Sequence, residues 1–167
     1  MTSVNDTLVG VAFLLSQVGA HAAERFHQKL SAIGLTAQHA GLIRMLGSNA
    51  GMTQQTIAAM FGILPSRLVV LLDELEEKKL VTRRRDPADR RCHHLHLTAA
   101  GRRYLRRIAG ITRRLEDDLL GSLRPAEREV FAAHLRRIAS QHRVARNYPG
   151  ARRFLSHPVQ AGRTDIA

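Results

Sequence analysis

Residues 65–98, PSRLVVLLDELEEKKLVTRRRDPADRRCHHLHLT, join a helical pattern to a basic hairpin pattern. The first half predicts a helix from Pro65 to about Lys78, because proline suits the first helical position and leucines then recur with a helical period. In the second half, two short β-compatible segments flank the turn-forming stretch Asp86–Asp89, which predicts a hairpin of about fifteen residues. A helix followed by a basic hairpin therefore lies at the centre of the fold.

The positive charge of the chain is concentrated around this hairpin. The 167 residues hold 26 Lys and Arg against 14 Asp and Glu, which gives a net charge of +12. Residues 76–107 contain eleven of the basic residues and four of the acidic ones, so this stretch alone contributes +7. An excess of this size and focus predicts attraction to polyanions, above all nucleic acid.

Apolar periodicity predicts five further helices, which makes the fold mainly α with a small β-hairpin. They are Leu8–Leu30, a helix capped by Thr36, Gln54–Met60 capped by Thr53, a helix capped by Thr98, and a helix opened by Pro125. Two short helices joined by a tight turn and followed by a basic hairpin make a winged helix-turn-helix, in which the hairpin is the wing.

The predicted DNA-binding residues lie on the second of these short helices and on the wing. The outward residues of the helix are Ser66, Arg67 and Val70; Arg67 suits a guanine edge and Val70 a thymine methyl group. We add Thr53 and Gln54, which begin the preceding helix. The wing arginines suit phosphates and a narrow minor groove, and they are Arg83, Arg84, Arg85, Arg90 and Arg91.

Several segments resemble the MarR family of bacterial repressors, over roughly Leu8 to Ala145. They are LEEKKLV at 75–81, DPADRR at 86–91, LTAAG at 97–101, LTAQ at 35–38 and MTQ at 52–54. The resemblance implies a homodimer on double-stranded DNA, with the first, fifth and sixth helices interlocking. It also implies that Arg90 or Arg91 enters the minor groove and that Asp89 orients the wing by pairing with an arginine.

The resemblance also suggests a division of the chain. We assign residues 1–34 to an N-terminal dimerisation helix, 35–100 to the DNA-binding lobe, 101–147 to C-terminal dimerisation helices and 148–167 to a flexible basic tail. Two positions depart from the family. Lys79 stands where the family usually has glycine, so we expect a left-handed or otherwise adjusted cap that costs roughly 1 kcal/mol. The family's further basic residue near Val70 is missing, which shifts base contact towards Arg67 and the wing.

The family implies a crevice between dimer core and DNA-binding lobe that binds small aromatic acids in many members. We therefore expect a small phenolic or carboxylic effector, with His21 and His39 as candidate contacts. The alternative is that these helical histidines only pack. Cys92 and His96 share one strand face with His94, but the face is exposed, and we expect no metal site and no cofactor there.

No catalytic motif occurs in the sequence, so we expect no enzyme activity. No apolar run approaches the ~20 residues that cross a bilayer, and a single cysteine fits a reducing compartment, so we expect a cytoplasmic protein without a membrane partner. The sequence thus predicts a sequence-specific regulator, most simply a repressor, on a pseudo-palindromic operator. The alternative is a constitutive, non-specific nucleic-acid-binding protein without a ligand switch.

Overall fold

A computed structural model describes residues 10–85 and 93–142 of the chain. Those ranges contain six helices and a small antiparallel sheet, which confirms the predicted fold class. The helices are α1 (Val11–Ser31), α2 (Ala37–Ser48), α3 (Gln54–Phe61), α4 (Pro65–Glu77), α5 (Ala99–Leu119) and α6 (Pro125–Gln141). The strands are β1 (Met52–Thr53), β2 (Val81–Arg85) and β3 (His93–Leu97).

Threonine side chains begin three of the helices, as the sequence predicts. The hydroxyl groups of Thr36, Thr53 and Thr98 each accept the backbone N–H of the residue three positions along, at 3.2, 3.2 and 3.0 Å. Each bond satisfies one of the donors that the first turn of a helix leaves unpaired. The starts of α2, α3 and α5 are therefore determined by local chemistry.

The sheet joins the wing to the helix-turn-helix. Strands β2 and β3 pair from Val81 opposite Leu97 to Arg85 opposite His93. The two-residue strand β1 adds to the other edge of β3, with Met52 opposite Leu95, so the strand order is β1-β3-β2. The sequence did not predict β1. Because β1 directly precedes α3, this pairing positions α3 relative to the wing.

One hydrophobic core joins α2, α3, α4 and the sheet to the end of α1 and to α5. Its fully buried residues include Leu30 of α1, Leu42 of α2, Leu72 of α4, Leu95 of β3 and Ile108 of α5. The predicted inward leucines of α4 all belong to it. Burial of these aliphatic side chains, at about 25 cal/mol per Å², is the main favourable contribution to folding.

Two helices leave apolar side chains in solvent within a single chain. The first half of α1 exposes Val18 to 52%, whereas Leu30 near its end is fully buried. Helix α6 has no buried residue, and its Ile138 is 45% exposed. The apolar stripes of α1 and α6 therefore extend beyond the core of one chain.

In the part of the chain that the structure describes, no single helix is long and apolar enough to cross a membrane. Only the pair α3 and α4 passes a length-and-composition test for a span, and only when both are counted together across their bend.

Candidate nucleic-acid interface

Helices α3 and α4 form the predicted helix-turn-helix. The chain changes direction by 112° between them, within the 90–120° typical of this motif. Gly62 ends α3 with a φ of 63°, a left-handed conformation that glycine adopts without a Cβ clash. Pro65 then begins α4 at a position that needs no N–H partner. The turn thus separates the end of α3, at Gly62, from the start of α4, at Pro65.

Helix α4 has one buried face and one exposed face, as predicted. Its leucines enter the core, while Ser66, Arg67 and Val70 are exposed. A guanidinium nitrogen (Nη2) of Arg67 donates to Oε1 of Gln38 at 3.2 Å, which holds this long side chain beside α2. Gln54 is half-buried at the start of α3. The first turns of α4 are therefore free to approach a groove of a duplex.

The wing strand β2 exposes two of its three arginines. Arg84 and Arg85 are exposed at the outer end of β2, where they face His94 and His93 across the ladder. These two guanidinium groups fit the predicted role at phosphates. The residues predicted to reach furthest, Asp89, Arg90 and Arg91, and also Cys92, lie outside the described residues.

Arg83 lies against α4. Its guanidinium contacts two carboxylates of α4, Glu76 at 2.5 Å and Asp73 at 2.6 Å, and its backbone N–H donates to Glu76 at 3.1 Å. In this DNA-free structure the side chain ties β2 to α4, and a contact of Arg83 with DNA stays a prediction. The three-residue spacing of Asp73 and Glu76 places both on one helix face, and this was the signal in the sequence.

Contacts at the base of the wing explain the motif LTAAG at residues 97–101. Lys79 has a φ of 57°, which confirms the left-handed cap expected after α4. The Thr98 hydroxyl donates to the Lys79 carbonyl at 2.7 Å, and the Thr98 N–H donates to the Leu80 carbonyl at 3.1 Å. A Cβ on Gly101 would lie only 2.0 Å from that Leu80 carbonyl oxygen. Only glycine therefore fits where the first turn of α5 packs against the backbone of Leu80.

The histidines behave differently from one another. His94 places Nδ1 2.6 Å from the Gly51 carbonyl oxygen, so it bridges β3 to the segment before β1. Burial, followed by the positive charge of Arg84, lowers the pKa of His96. Among the residues that the structure describes, no group of three or more His, Cys, Asp or Glu side chains is placed to hold a metal ion.

His39 lies buried between α2 and α4, and its contact with a ligand stays a prediction. It is 2% exposed, its Nδ1 accepts the Thr36 N–H at 3.3 Å, and its Nε2 lies 2.9 Å from Oε2 of Glu74. Burial lowers its pKa, against the opposing effect of the Glu74 carboxylate. A neutral imidazole therefore caps α2 and packs against α4. His21 is exposed on α1.

A helix-turn-helix with an exposed second helix, next to an arginine-bearing hairpin, defines a winged helix-turn-helix protein. The model of the MarR family matches residues 33–91. The structure of the transcriptional repressor CouR bound to a 23-mer DNA duplex aligns with 83% of this chain and 99% of its own, at 31% identity and a TM-score of 0.69. The chain belongs to the MarR family of transcriptional regulators.

Other relatives agree with this assignment. A protein of Thauera aromatica named as a regulator of the hcr operon is 32% identical over 108 residues, and the match spans 65% of each chain. The repressor Rv2887 of Mycobacterium tuberculosis is 26% identical over 94% of its length, and its structures in complex with DNA and with salicylic acid have TM-scores of 0.65 and 0.62. CouR from Rhodococcus jostii RHA1 bound to p-coumaroyl-CoA has a TM-score of 0.63, at 28% identity.

Proposed function

We propose that the chain is a homodimeric repressor that binds a pseudo-palindromic operator in double-stranded DNA. The observation that carries the proposal is the exposed start of α4 next to the exposed Arg84 and Arg85 of the wing. Solved relatives named as complexes with DNA support the same use of this surface. A cytoplasmic location follows from this role.

In each lobe, different residues contact the grooves and the phosphates of the duplex. Ser66, Arg67 and Val70 enter the major groove, while the N-terminal N–H groups of α4 approach phosphate. Arg84 and Arg85 bind phosphates, which adds affinity without sequence information. We keep the expectation from the family that Arg90 or Arg91 contacts the minor groove and that Asp89 pairs with an arginine. Two lobes related by a twofold axis then read half-sites about 34 Å apart, one turn of the duplex.

A second copy of the chain completes the molecule. The apolar side chains at the start of α1 and along α6 are exposed in one chain, and monomeric proteins rarely leave large contiguous apolar patches in solvent. Pairing of these faces across a twofold axis buries them and holds the two lobes at one spacing. On this basis we retain residues 1–34 and 101–147 as dimerisation helices and residues 35–100 as the DNA-binding lobe, with residues 148–167 as a tail.

The repressor is released by a small aromatic effector. Relatives named as complexes with salicylic acid and with p-coumaroyl-CoA support this chemical class. His21, exposed on α1, and His39, buried beside α4, remain the candidate contacts. The effector acts by favouring a spacing of the two lobes that no longer matches successive grooves.

The test is an operator identified by sequencing the genomic fragments that the purified chain retains, followed by gel-shift titration. We expect Arg84→Ala with Arg85→Ala to weaken operator binding about tenfold and to lower the salt dependence by about two counterions. We expect a second double variant, Arg90→Ala with Arg91→Ala, to weaken operator binding more than the first. Arg113→Ala, an exposed position on α5, is the matched control and leaves binding unchanged.

Competition separates the proposal from a constitutive, non-specific binder. A specific repressor keeps its operator in the presence of excess random-sequence DNA at moderate salt. Equal displacement by operator and random DNA would establish the non-specific alternative. Wild-type affinity in both double variants would remove the wing from the mechanism.

A further inference from the structure

The start of α2 contacts α4 at two points. The amide oxygen of Gln38 accepts a hydrogen bond from Nη2 of Arg67 at 3.2 Å, and Nε2 of His39 lies 2.9 Å from Oε2 of Glu74. The two contacted positions of α4 are about two helical turns apart, so both contacts lie along one side of α4. Gln38 therefore contacts, from a neighbouring helix, the first turn of α4 that is proposed to enter the major groove.

The backbone around Gln38 is well fixed. Gln38 is the second residue of α2 and lies between Thr36 and His39, which form a capping box. In this box each side chain accepts the backbone N–H of the other residue, at 3.2 and 3.3 Å, and the pairing fixes the first turn of the helix. The half-buried Gln38 thus presents its amide oxygen at a defined position, to which the exposed Arg67 side chain bonds.

The acceptor that holds Arg67 is a neutral amide. In the described ranges, 10–85 and 93–142, no carboxylate lies within ion-pair distance of Arg67, whereas Arg83 contacts the carboxylates of Asp73 and Glu76. A neutral acceptor leaves the positive charge of Arg67 uncompensated. One bond also leaves most of the five N–H donors of a guanidinium unused. Arg67 therefore keeps both the charge that attracts DNA and the donors that the O6 and N7 atoms of a guanine accept.

The orientation of an arginine decides what it recognises on DNA. A mobile guanidinium donates readily to phosphate oxygens, and those contacts carry no sequence information. The ordering of a long side chain on binding also opposes association. A partner that already holds the guanidinium in the free protein reduces this opposition and favours the base edge, which accepts only a correctly placed pair of donors.

We propose that Gln38 is a positioning residue for base recognition, whose amide oxygen orients Arg67 towards a guanine in the major groove. The inference rests on the proposed operator binding and deepens it, because it assigns the recognition of one base pair partly to a residue outside the helix-turn-helix. Gln38 acts through Arg67 and makes no base contact of its own.

The test is a gel-shift titration of the full chain with the operator and with operators in which single base pairs are exchanged. Arg67→Ala identifies the guanine as the position at which discrimination is lost. Gln38→Met keeps the length of the side chain but removes its amide. We expect it to reduce discrimination at that same position about tenfold, with affinity for random-sequence DNA within about twofold of the wild type. Gln28→Met on α1, whose amide bonds Glu24, is the matched control and changes neither quantity.

Two further variants separate positioning from direct contact with DNA. Gln38→Glu retains an acceptor oxygen, so we expect discrimination at the guanine to survive. Its added negative charge should weaken binding to operator and to random-sequence DNA alike, by about three- to tenfold. In the Arg67→Ala background, Gln38→Met should have no additional effect, because the amide then has no guanidinium to orient.

Unchanged discrimination in Gln38→Met, or in Arg67→Ala, would contradict the inference, as would a loss spread evenly over all operator positions. An additional loss in the Arg67→Ala background would make Gln38 a DNA contact in its own right and refute the positioning role. A wild type that prefers no sequence would instead contradict the proposed operator binding, and the inference with it. Thermal unfolding checks that each variant is folded at the temperature of the titrations.

Discussion

The DNA-binding lobe and the terminal helices of this chain differ in how much of their apolar surface is buried within one copy. In the lobe, the apolar stripes of α2, α3 and α4 are buried, and the wing is tied down by Arg83 and Thr98. At the start of α1 and along α6, apolar side chains remain in solvent. The helix-turn-helix and the wing strands thus bury their inward apolar residues within one chain, together with Leu30 of α1 and Ile108 of α5, whereas the start of α1 and α6 leave theirs exposed.

The difference is visible within a single helix. Along α1, the stripe passes from the exposed Val18 through the partly buried Phe26 to the fully buried Leu30. The same helix therefore joins the core at one end and leaves apolar side chains exposed at the other. In the proposed dimer, a change in the pairing of the exposed end would be transmitted to the core through one helix.

The largest expected effect is a loss of stability caused by a substitution at Gly101. Gly101→Val places a Cβ 2.0 Å from the Leu80 carbonyl oxygen, and we expect a loss of about 3 kcal/mol in the free energy of unfolding. Gly110→Ala is the control on the same helix, since its Cβ meets only the flexible end of Arg114 at 3.5 Å; it is neutral or stabilises by up to about 1 kcal/mol. Urea unfolding measures both. Equal stability of the Gly101 variant and the wild type would contradict the close approach.

A smaller effect with the opposite sign is expected at the end of α4. Lys79→Gly removes a side chain from a left-handed position, φ 57°, and we expect a gain of about 1 kcal/mol in the free energy of unfolding. Lys78→Gly is the neighbouring control with an ordinary φ of −73°, where glycine lowers stability by about 0.5–1 kcal/mol. Destabilisation by both substitutions would show that Lys79 is not strained.

The smallest expected effect is a pH dependence of the free energy of unfolding that arises from His39 in the lobe. Burial lowers the pKa of His39 below its ordinary 6.5, so the unfolded chain takes up a proton first as the pH falls. The free energy of unfolding of the wild type should therefore decline as the pH is lowered below 6.5. His39→Gln removes this part of the slope, and thermal unfolding between pH 7.5 and 5 compares the two. Parallel curves for wild type and variant would exclude the effect.

Sequence patterns predicted the parts of this molecule that depend on neighbouring residues. The threonine caps, the faces of α4 and the left-handed Lys79 follow from local geometry and were confirmed. What the sequence missed depends on contacts across the fold. Strand β1 is two residues long and exists only because β3 pairs with it. Arg83 turns inward because two carboxylates of α4 lie beside it, and no local pattern in β2 records that.

Size-exclusion chromatography with light scattering tests most directly whether a second copy completes the terminal helices. For the wild type at micromolar concentration we expect a mass of about 37 kDa, twice the 18.6 kDa of one chain. Val18→Asp with Ile138→Asp, on the exposed apolar faces, should shift the mass to that of one chain and reduce operator affinity at least a hundredfold with the lobe still folded. Ser140→Asp, a polar position on α6, should remain a dimer. A wild-type mass of 18.6 kDa, or a dimer that persists in the double variant, would contradict the account.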